Sequence, residues 1–472
     1  MQLTKINKKF QKRLEEILNT YPLIKDIAIT LQQLGGISYL VGGAVRDLFL
    51  ELPIKDIDIE VHGVTLEQLE QVLQKFGPVS LVGKSFGVLK LAHVDVDWSV
   101  PRRDSSGRKP VVELAPVMTL QEAFKRRDLT INAMGINVLT FELVDPFNGL
   151  ADLNAKILRT PDAQLFIQDP LRFFRVMQFV ARFNMDPDQQ LNDICSTMNI
   201  SEVSQERKEQ EFKKWLLLSQ KPSRALNWLD HIQRLFEVLP EVAATKGIAQ
   251  EYSWHPEGDV FEHTKQTIDA AAVLDYANQQ EKLIVLYAAL GHDLGKVVTT
   301  QIIDGLIRSH GHAQAGAAIV KKMMQRITRD KELIDKVSTL VNYHMQPVLL
   351  VTSKAKLTAY KRLAYNLGVV TLNMLAHLAL ADQRGRNPQK GQPLTQTSPL
   401  IEEFIKHAHQ AEVFFEREEP ILKGRDLLDV IPAGPLLGVL VKKAYQLQLD
   451  EGIVDKQQLK QMVLAMLNQE QK

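Results

Sequence analysis

The sequence predicts an α+β protein in which a small mixed β-sheet near the N-terminus precedes an all-helical remainder. Between residues 36 and 100, β-rich runs alternate with a helical pattern at 65–77. From about residue 160 onward, amphipathic stretches such as PLRFFRVMQFVARF replace the strand signals. The 472 residues are too many for one hydrophobic core, so two to four domains are expected.

Individual segments refine this prediction. The first thirty residues indicate a single N-terminal helix of mixed charge. The run ISYLVGG indicates a strand that ends in two glycines, and AVRDLFLEL then begins a helix. The segment 101–113 is rich in Pro, Gly, Ser and charge and predicts a loop, in which Arg102, Arg103, Arg108 and Lys109 could contact RNA phosphates.

The composition limits the classes of function. The net charge is only +1, so the overall charge of the protein does not attract nucleic acid. Any nucleic-acid binding must therefore come from local patches of positive charge. The single cysteine, Cys195, excludes a disulfide framework and is expected to be a buried thiol. No apolar run approaches the roughly 20 residues that cross a bilayer, and the N-terminus lacks the apolar centre of a secretory signal. We therefore expect a cytoplasmic protein without a membrane partner.

Two aspartates follow one another at a spacing of two residues. Side chains two apart on a strand project from the same face, so Asp56 and Asp58 would place their carboxylates side by side above Ile57 and Ile59. Such carboxylates repel each other, and Mg²⁺ with oxygen ligands would relieve the repulsion. The alternative is a solvated strand face that happens to carry two acids.

The glycine pair lies about fifteen residues before these acids. Gly42 and Gly43 stand between a strand and a helix start, where backbone N–H groups could approach a phosphate. The alternative is a tight turn that needs glycine only for its positive φ. Together, the turn and the acids predict a phosphate cradle beside a metal ion.

Four motifs in order carry a family resemblance. They are GGAVRD…DIDI, RRDLTINA at 126–133, DPFNGLADL at 145–153 and DPLRFFRVMQFVARF at 169–183. Together they resemble the class II tRNA nucleotidyltransferases, which comprise the CCA-adding enzymes and the bacterial poly(A) polymerases. The resemblance implies that Asp56 and Asp58 bind Mg²⁺ and catalyse nucleotide transfer. It makes Asp97 either a third catalytic acid or a solvated strand residue.

The same resemblance implies a set of nucleotide-binding residues. These are Gly42, Gly43, Arg46, Asp47, Arg126, Arg127, Asp128, Asn132, Asp169, Arg172, Arg175 and Arg207. Within the set, Asp169 and Arg172 would read the base from one helical face at i and i+3. A surface ion pair between them is the alternative, and Gln168 replaces the glutamate that the family usually has before this aspartate.

Histidines and acids recur through the helical part of the chain. The segments HPEGDVFEHT, ALGHDLGK, SHGHAQAGA, VNYHMQP and ALADQRGR supply imidazoles and carboxylates that suit first-row divalent metals. This order resembles the HD phosphohydrolase superfamily over about 255–390. The resemblance implies six metal ligands, with His310 a less certain neighbour and Lys296 a phosphate-binding group. The six are His263, His292, Asp293, His312, His344 and Asp382. The metal would be Ni, Mn, Fe, Co or Mg, and a site that has kept its fold but lost its activity is the alternative.

The two resemblances together predict an enzyme that adds CCA to tRNA 3′ ends from CTP and ATP, with a phosphatase and 2′,3′-cyclic phosphodiesterase behind it. Poly(A) addition or a partial CC- or A-adding activity is one alternative. An HD phosphohydrolase whose head only binds RNA is another. We expect an N-terminal extension (1–30), a nucleotidyltransferase head (31–155), a neck that binds base and RNA (156–245), an HD domain (246–395) and a C-terminal helical region (396–472).

Overall fold

The computed structural model describes residues 4–54, 56–82, 87–104, 112–115 and 118–470. Arg108 and Lys109, named above as candidates for RNA contact, lie outside these ranges. The chain divides into two compact units, Met1–Glu211 and Phe212–Lys472.

The strands are concentrated in the first unit. Those within the described residues are β1 (Thr4–Lys5), β2 (Ile37–Val41), β3 (Ile57–His62), β4 (Val79–Val82), β5 (Val88–Leu91), β6 (Val96–Ser99), β7 (Arg102–Asp104), β8 (Val112–Leu114), β9 (Gly135–Asn137), β10 (Glu142–Val144), β11 (Ile157–Leu158), β12 (Asp186–Pro187), β13 (Gln301–Ile303) and β14 (Leu306–Arg308). Eight of them form one sheet in the order β1-β10-β9-β2-β3-β6-β5-β4. Only β3 and β6 run parallel within this sheet, so it is mixed, as predicted.

Strand β3 separates an apolar face from a polar one. Ile57, Ile59 and Val61 are buried at 3% exposure or less, and the alternating pattern sends Asp58 to the opposite face. The parallel register pairs Asp58 with Asp97 on β6, so both acids project from the same face of the sheet. The core that forms below β3 therefore fixes where the acids lie above it.

Helices make up most of the remainder. Those described are α1 (Lys8–Thr20), α2 (Leu23–Gln32), α3 (Gly43–Phe49), α4 (Leu66–Gln74), α5 (Leu120–Lys125), α6 (Gly149–Ala155), α7 (Ala163–Phe166), α8 (Leu171–Arg182), α9 (Gln189–Thr197), α10 (Gln205–Leu218), α11 (Ser223–His231), α12 (Leu235–Val238), α13 (Pro240–Ala243), α14 (Val260–Ala272), α15 (Gln279–Gly291), α16 (Lys296–Thr299), α17 (His312–Ile327), α18 (Lys331–Tyr343), α19 (Gln346–Thr352), α20 (Leu357–Leu367), α21 (Leu372–Arg384), α22 (Pro399–Gln410), α23 (Pro435–Glu451) and α24 (Lys456–Glu470). In the second unit α14 packs against α15 and α21, and α17 packs against α18. The predicted helix at 65–77 is present as α4, which Thr65 and Gln68 begin with reciprocal capping hydrogen bonds.

Three local predictions were wrong. The N-terminal segment contains β1 and two helices rather than one helix, because Pro22 cannot continue the hydrogen bonding of α1. The ends of the expected loop 101–113 pair as the antiparallel hairpin β7–β8. The helical remainder contains the hairpin β13–β14, whose turn residues Asp304 and Gly305 both have positive φ, as a type I′ turn requires.

Two other sequence predictions concern Cys195 and the membrane. Cys195 is a buried thiol, as expected. Within the described residues, no helix by itself is long and apolar enough to span a membrane. The bent pair α20 and α21, at 98° to each other, could do so by length and composition only.

Candidate active sites

The first site lies on the polar face of the sheet. Asp58, Asp97, Arg126 and Arg127 line one cavity of about 260 Å³. Asp56 immediately precedes β3 and is exposed, and its charge acts on Asp58. The structure thus brings Asp58, Asp97 and the arginine pair together, while Asp56 acts on Asp58 through its charge and does not line the cavity.

The ionised form of Asp58 is disfavoured by its surroundings. Burial raises the pKa of Asp58, and the neighbouring charges of Asp97 and Asp56 raise it further, against the opposing effect of Arg127. Among the described residues, none forms an ion pair or hydrogen bond with its carboxylate. A divalent ion with oxygen ligands fits this cluster, because it would offset the repulsion that raises the pKa.

The glycine turn lies directly beside these groups. Gly42 has φ of +69°, and a Cβ added there would lie 2.7 Å from Arg127 Nη1 and 4.0 Å from Asp58 Oδ2. A side chain at this position would therefore be strained and would displace the arginine. The predicted turn and acid thus lie side by side, although they are separated in sequence.

A buried network lies under the turn. Arg46 donates to Asp47 Oδ1 at 2.8 Å and to Asn132 Oδ1 at 2.6 Å, and Asn132 donates in turn to Asp128 Oδ1 at 2.9 Å. Arg175 donates to Asp128 Oδ2. Burial would raise the pKa of Asp128, but Arg175 and the hydrogen bond from Asn132 hold it at about 2. The chain itself therefore already engages both oxygens of Asp128.

The expected base-reading pair has a different geometry from the prediction. Asp169 precedes the first residue of α8, and its carboxylate accepts from Arg207 Nη2 at 3.0 and 3.1 Å. Arg172 donates to the backbone carbonyls of Leu165, at 2.8 Å, and Arg126. Asp169 and Arg172 are therefore not two positions of one helical face, because the helix begins only after Pro170.

Sequence reasoning missed Glu60 at this site. It lies on the same strand face as Asp58 and lines the cavity, 3.3 Å from Arg127. Burial would raise the pKa of Glu60, but the hydrogen bond with His62 and the charge of Arg127 hold it at about 2. The alternation that relates Asp56 to Asp58 continues to Glu60 and His62, and this signal could have found it.

The second site gathers the predicted histidines and acids into two groups in which all ligand atoms lie within 4.8 Å of one another. The groups are His263, His292 and Asp382, and Asp293, His312 and His344. Asp293 faces both, with Oδ2 at 3.3 Å from His292 Nε2 and Oδ1 at 3.5 Å from His312 Nε2. All six predicted ligand residues therefore meet, and their imidazoles and carboxylates could hold divalent ions that would activate a water.

The imidazoles are oriented for metal binding. In His292, His312 and His344, Nδ1 lies 2.7 to 2.9 Å from the backbone carbonyl three residues earlier. A carbonyl only accepts, so Nδ1 carries the proton and the Nε2 lone pair faces the group. His292 Nε2 is buried without a hydrogen bond, and burial lowers the pKa of His344 to about 3. Divalent ions fit this set, because neutral imidazoles are the form that binds them.

Two cations support the acids of this site. Lys296 Nζ lies 2.7 Å from Asp293 and 2.7 Å from Gln250 Oε1, while Arg386 contacts Asp382 at 3.0 Å. Burial would raise the pKa values of Asp293 and Asp382, but Lys296 and Arg386, together with nearby imidazoles, hold them well below the ordinary value. His310 lines the adjoining cavity, is exposed, and belongs to neither ligand group.

Sequence reasoning missed Glu257. Its Oε1 lies 2.6 Å from His263 Nδ1 and 2.9 Å from His255 Nδ1. Burial would raise the pKa of Glu257, but the hydrogen bonds with His255 and His263 hold it at about 2. Glu257 therefore orients His263 as the backbone carbonyls orient the other three histidines. The acid stands six residues before His263 in HPEGDVFEHT, but this separation has no helical or strand period that would reveal the contact.

Comparison with known families agrees with the two sites. Residues 38–159 match the Poly A polymerase head domain family, and residues 260–363 match the HD domain family. The fold and the sites therefore define a nucleotidyltransferase head followed by an HD domain. Both domain types depend on metal ions, and the residue groups above could hold them.

The relatives narrow this class to one family. A multifunctional CCA protein of Paraburkholderia phytofirmans is 36% identical over 307 residues, which span 61% of this chain and 70% of that protein. One from Burkholderia pseudomallei is 36% identical over 324 residues, which span 65% and 74%. The chain belongs to the multifunctional CCA protein family. This confirms the resemblance identified from the sequence, and the protein is a nucleotidyltransferase with an HD domain.

Solved structures share the fold over nearly the whole chain. The Thermotoga maritima CCA-adding enzyme complexed with tRNA_CCA is 20% identical, with a TM-score of 0.59 over 99% of this chain and 100% of that one. The Bacillus stearothermophilus CCA-adding enzyme in complex with CTP is 19% identical, with a TM-score of 0.62 over 99% of each chain. These likenesses confirm the predicted α+β fold.

Proposed function

We propose that the protein adds CMP, CMP and AMP to tRNA 3′ ends from CTP and ATP, without a nucleic-acid template, and releases pyrophosphate. The observation that carries the proposal is the register of Asp58 with Asp97 beside the Gly42 turn, in a chain of this family. The alternatives of poly(A) addition and of partial CC or A addition use the same chemistry and differ in their products.

The residues divide the work of the transfer. Asp56, Asp58 and Asp97 hold Mg²⁺, which when bound neutralises the triphosphate and lowers the pKa of the primer hydroxyl. The Gly42–Gly43 turn lets the backbone approach the phosphates, and Arg126 and Arg127 neutralise their charge. The primer 3′-oxygen forms a bond to the α-phosphorus as the bond to pyrophosphate breaks.

The remaining predicted residues position the nucleotide. Arg46, Asp47, Asp128 and Asn132 keep the floor of the site rigid through their buried hydrogen bonds. Arg175 extends the same network. We assign base recognition to a second group, which is Asp169, Arg172 and Arg207. The Asp169–Arg207 ion pair is exposed and can exchange partners when a base binds.

We also propose that the histidine site is a metal-dependent phosphohydrolase that removes phosphate or opens a 2′,3′-cyclic phosphate at an RNA end. Its ions would be Ni, Mn, Fe, Co or Mg, which accept a mixed imidazole and carboxylate set. Water attacks phosphorus, and the ester oxygen leaves with a proton. The domain bounds that follow are a head at 31–155, a neck at 156–245, an HD domain at 246–395 and a C-terminal region at 396–472.

One experiment tests the transferase proposal. A tRNA that lacks its 3′ end is incubated with Mg²⁺ and CTP, ATP or both, and the products are sequenced. We expect two C residues from CTP alone and CCA from both, with no addition by an Asp56→Ala, Asp58→Ala double variant that retains phosphohydrolase activity. A homopolymer of A would establish the poly(A) alternative, and incorporation by the double variant would refute the proposal.

A further inference from the structure

The cavity beside the histidine site has a lining of two chemical kinds. It measures about 220 Å³, and its lining includes the candidate metal ligands Asp293, His312 and His344. The lining also includes Trp254 and Arg308, which no part of the phosphohydrolase chemistry above uses. A site that only cleaved a phosphate ester would need the candidate ligands alone.

Trp254 is exposed but its backbone is fixed. The residue is 63% accessible to solvent although it lines the cavity. The backbone N–H groups of Trp254 and His255 both donate to the Glu251 carbonyl, at 3.0 and 2.9 Å. The Glu251 carboxylate accepts from the Ile307 N–H at 3.3 Å, which ties this turn to the hairpin β13–β14. An indole face is thus held open beside the ligand groups instead of being packed into the core.

Arg308 supplies a charge near this indole. It ends β14, is exposed and lines the same cavity. It forms no ion pair with any residue that the structure describes. A flat aromatic face combined with an uncommitted guanidinium is the pairing that proteins use for single-stranded nucleic acid, where bases stack and phosphates pair with cations.

We propose that Trp254 and Arg308 form a nucleoside subsite of the histidine site. The base of the terminal nucleotide stacks on Trp254 while its phosphate lies at the metal ligands, and Arg308 binds the phosphate on the 5′ side. The subsite selects RNA 3′ ends over phosphate esters that lack a base. The inference rests on the phosphohydrolase activity proposed above and assigns its specificity.

The first test separates base binding from catalysis. Wild type and Trp254→Ala are assayed with adenosine 2′,3′-cyclic phosphate and with ribose 2,3-cyclic phosphate, which lacks the base. We expect the variant to raise KM for the adenosine compound about tenfold, with kcat within twofold, and to leave KM for the ribose compound unchanged. Trp254→Phe should restore most of the affinity, because it retains a ring for stacking.

Tyr252 offers the matched control. It is 73% exposed and stands two residues before Trp254, but it does not line the cavity. Tyr252→Ala should leave both KM values unchanged. The proposal would be overturned if Trp254→Ala changed KM for the adenosine and the ribose compound by the same factor. It would also be overturned if Tyr252→Ala raised KM for the adenosine compound as much as Trp254→Ala does.

A binding measurement keeps the inference separate from the activity. Adenosine 3′-phosphate should quench part of the tryptophan fluorescence of wild type, and Trp254→Phe should abolish that part. Arg308→Ala should weaken binding of an RNA oligomer ending in a 3′-phosphate but not of the mononucleotide, and added salt should reduce the difference. The nucleoside assignment would be overturned if Trp254→Phe kept the full quenching. It would also be overturned if phosphotyrosine, a phosphate ester with an aromatic ring but no base, displaced RNA as well as adenosine 3′-phosphate does. Both outcomes can be read even if the enzyme hydrolyses neither cyclic substrate.

Discussion

The carboxylates that are predicted to bind metal differ in their electrostatics between the two candidate sites. At the sheet, burial and neighbouring acids raise the pKa of Asp58. In the helical unit, Lys296 and Arg386, with nearby imidazoles, hold the pKa values of Asp293 and Asp382 well below the ordinary range despite complete burial. Within the described residues, the cations of the first site pair with Glu60 and Asp97 and leave Asp58 without an ion pair, whereas Asp293 and Asp382 of the second site each pair with a cation.

This difference indicates how each site acquires its metal. The aspartate cluster offers oxygens from β3, β6 and the residue before β3, so we expect the phosphates of a bound nucleotide to supply further ligands to a divalent ion there. The histidine site brings together six candidate ligand residues, and backbone carbonyls orient three of its imidazoles. We infer that the first site binds its ion together with substrate and that the second keeps its ions when substrate is absent.

The largest expected effect tests the aspartate cluster. Asp58→Ala should lower nucleotide incorporation by about a thousandfold or more, because several kcal/mol of transition-state stabilisation by the ions would be lost. Hydrolysis at the histidine site should be unchanged. Single-turnover incorporation with truncated tRNA, measured beside a phosphodiesterase assay, gives both quantities.

Asp97 and Asp95 provide a matched pair for the same cluster. Asp97 lines the cavity in register with Asp58, while Asp95 is exposed two residues earlier. Asp97→Ala should lower incorporation steeply, and Asp95→Ala should leave it within about twofold, as expected for an exposed surface change. Equal activities of the two variants would contradict a metal-binding role for Asp97.

A second prediction tests whether the histidine site holds its ions alone. His312 belongs to a ligand group, and His310 is an exposed histidine two residues away. His312→Ala should lose at least one bound transition metal per chain after purification and dialysis, and its hydrolytic rate should fall by about a hundredfold or more. His310→Ala should retain the full metal content. Elemental analysis of the wild type and both variants measures the metal content per chain. Wild-type protein that holds no metal after dialysis would contradict the inference that the histidine site keeps its ions in the absence of substrate.

The extent to which the sequence predicted each site differs. At the aspartate site, strand alternation was enough to place Asp58 on the polar face of β3, since the period of a strand is local, whereas Asp56 precedes the strand. It could not show that Asp97 lies in register with Asp58, because pairing across a sheet depends on tertiary packing. At the histidine site, the family pattern supplied the six ligand residues, but only the fold reveals that Glu257 contacts His263.

The prediction of the fold was correct where hydrophobic periodicity was strong, and it was wrong where turn or helix-start residues determine the local structure. The mixed sheet and the helical remainder follow from patterns that extend over many residues. The hairpin β13–β14 was missed although Asp304 and Gly305 form the turn that favours it, since its strands are three residues long. Asp169 was misplaced because the helix start depends on Pro170 rather than on the helical period.

A smaller effect is expected for the residue that orients His263. Glu257→Gln removes the negative charge and half of the acceptor capacity beside His263 Nδ1, so the affinity of the site for metal should fall about 10- to 100-fold. Competition with a fluorescent chelator measures this affinity without substrate. Glu262→Gln, one residue before His263 but paired with Lys265, is the control and should bind metal as wild type does. Equal affinities of all three proteins would contradict the orienting role of Glu257.

The last prediction concerns stability instead of activity, at a buried carboxyl group that has no paired cation among the described residues. Asp269 accepts from the backbone N–H and the hydroxyl of Ser223 at 2.8 and 2.6 Å, yet burial raises its pKa to about 6. Because this folded-state pKa exceeds the unfolded value, the stability from this group is complete below about pH 4 and is lost as the pH rises through 6. Asp269→Asn mimics the protonated form at every pH. Its free energy of unfolding relative to wild type should therefore increase by on the order of 2 to 3 kcal/mol between pH 4 and pH 8.

Urea unfolding at both pH values measures this change, and Asp304→Asn at the exposed hairpin turn should show none. A pH-independent difference for Asp269→Asn would mean that the Ser223 hydrogen bonds keep the carboxylate ionised, as Lys296 and Arg386 do for the acids of the histidine site.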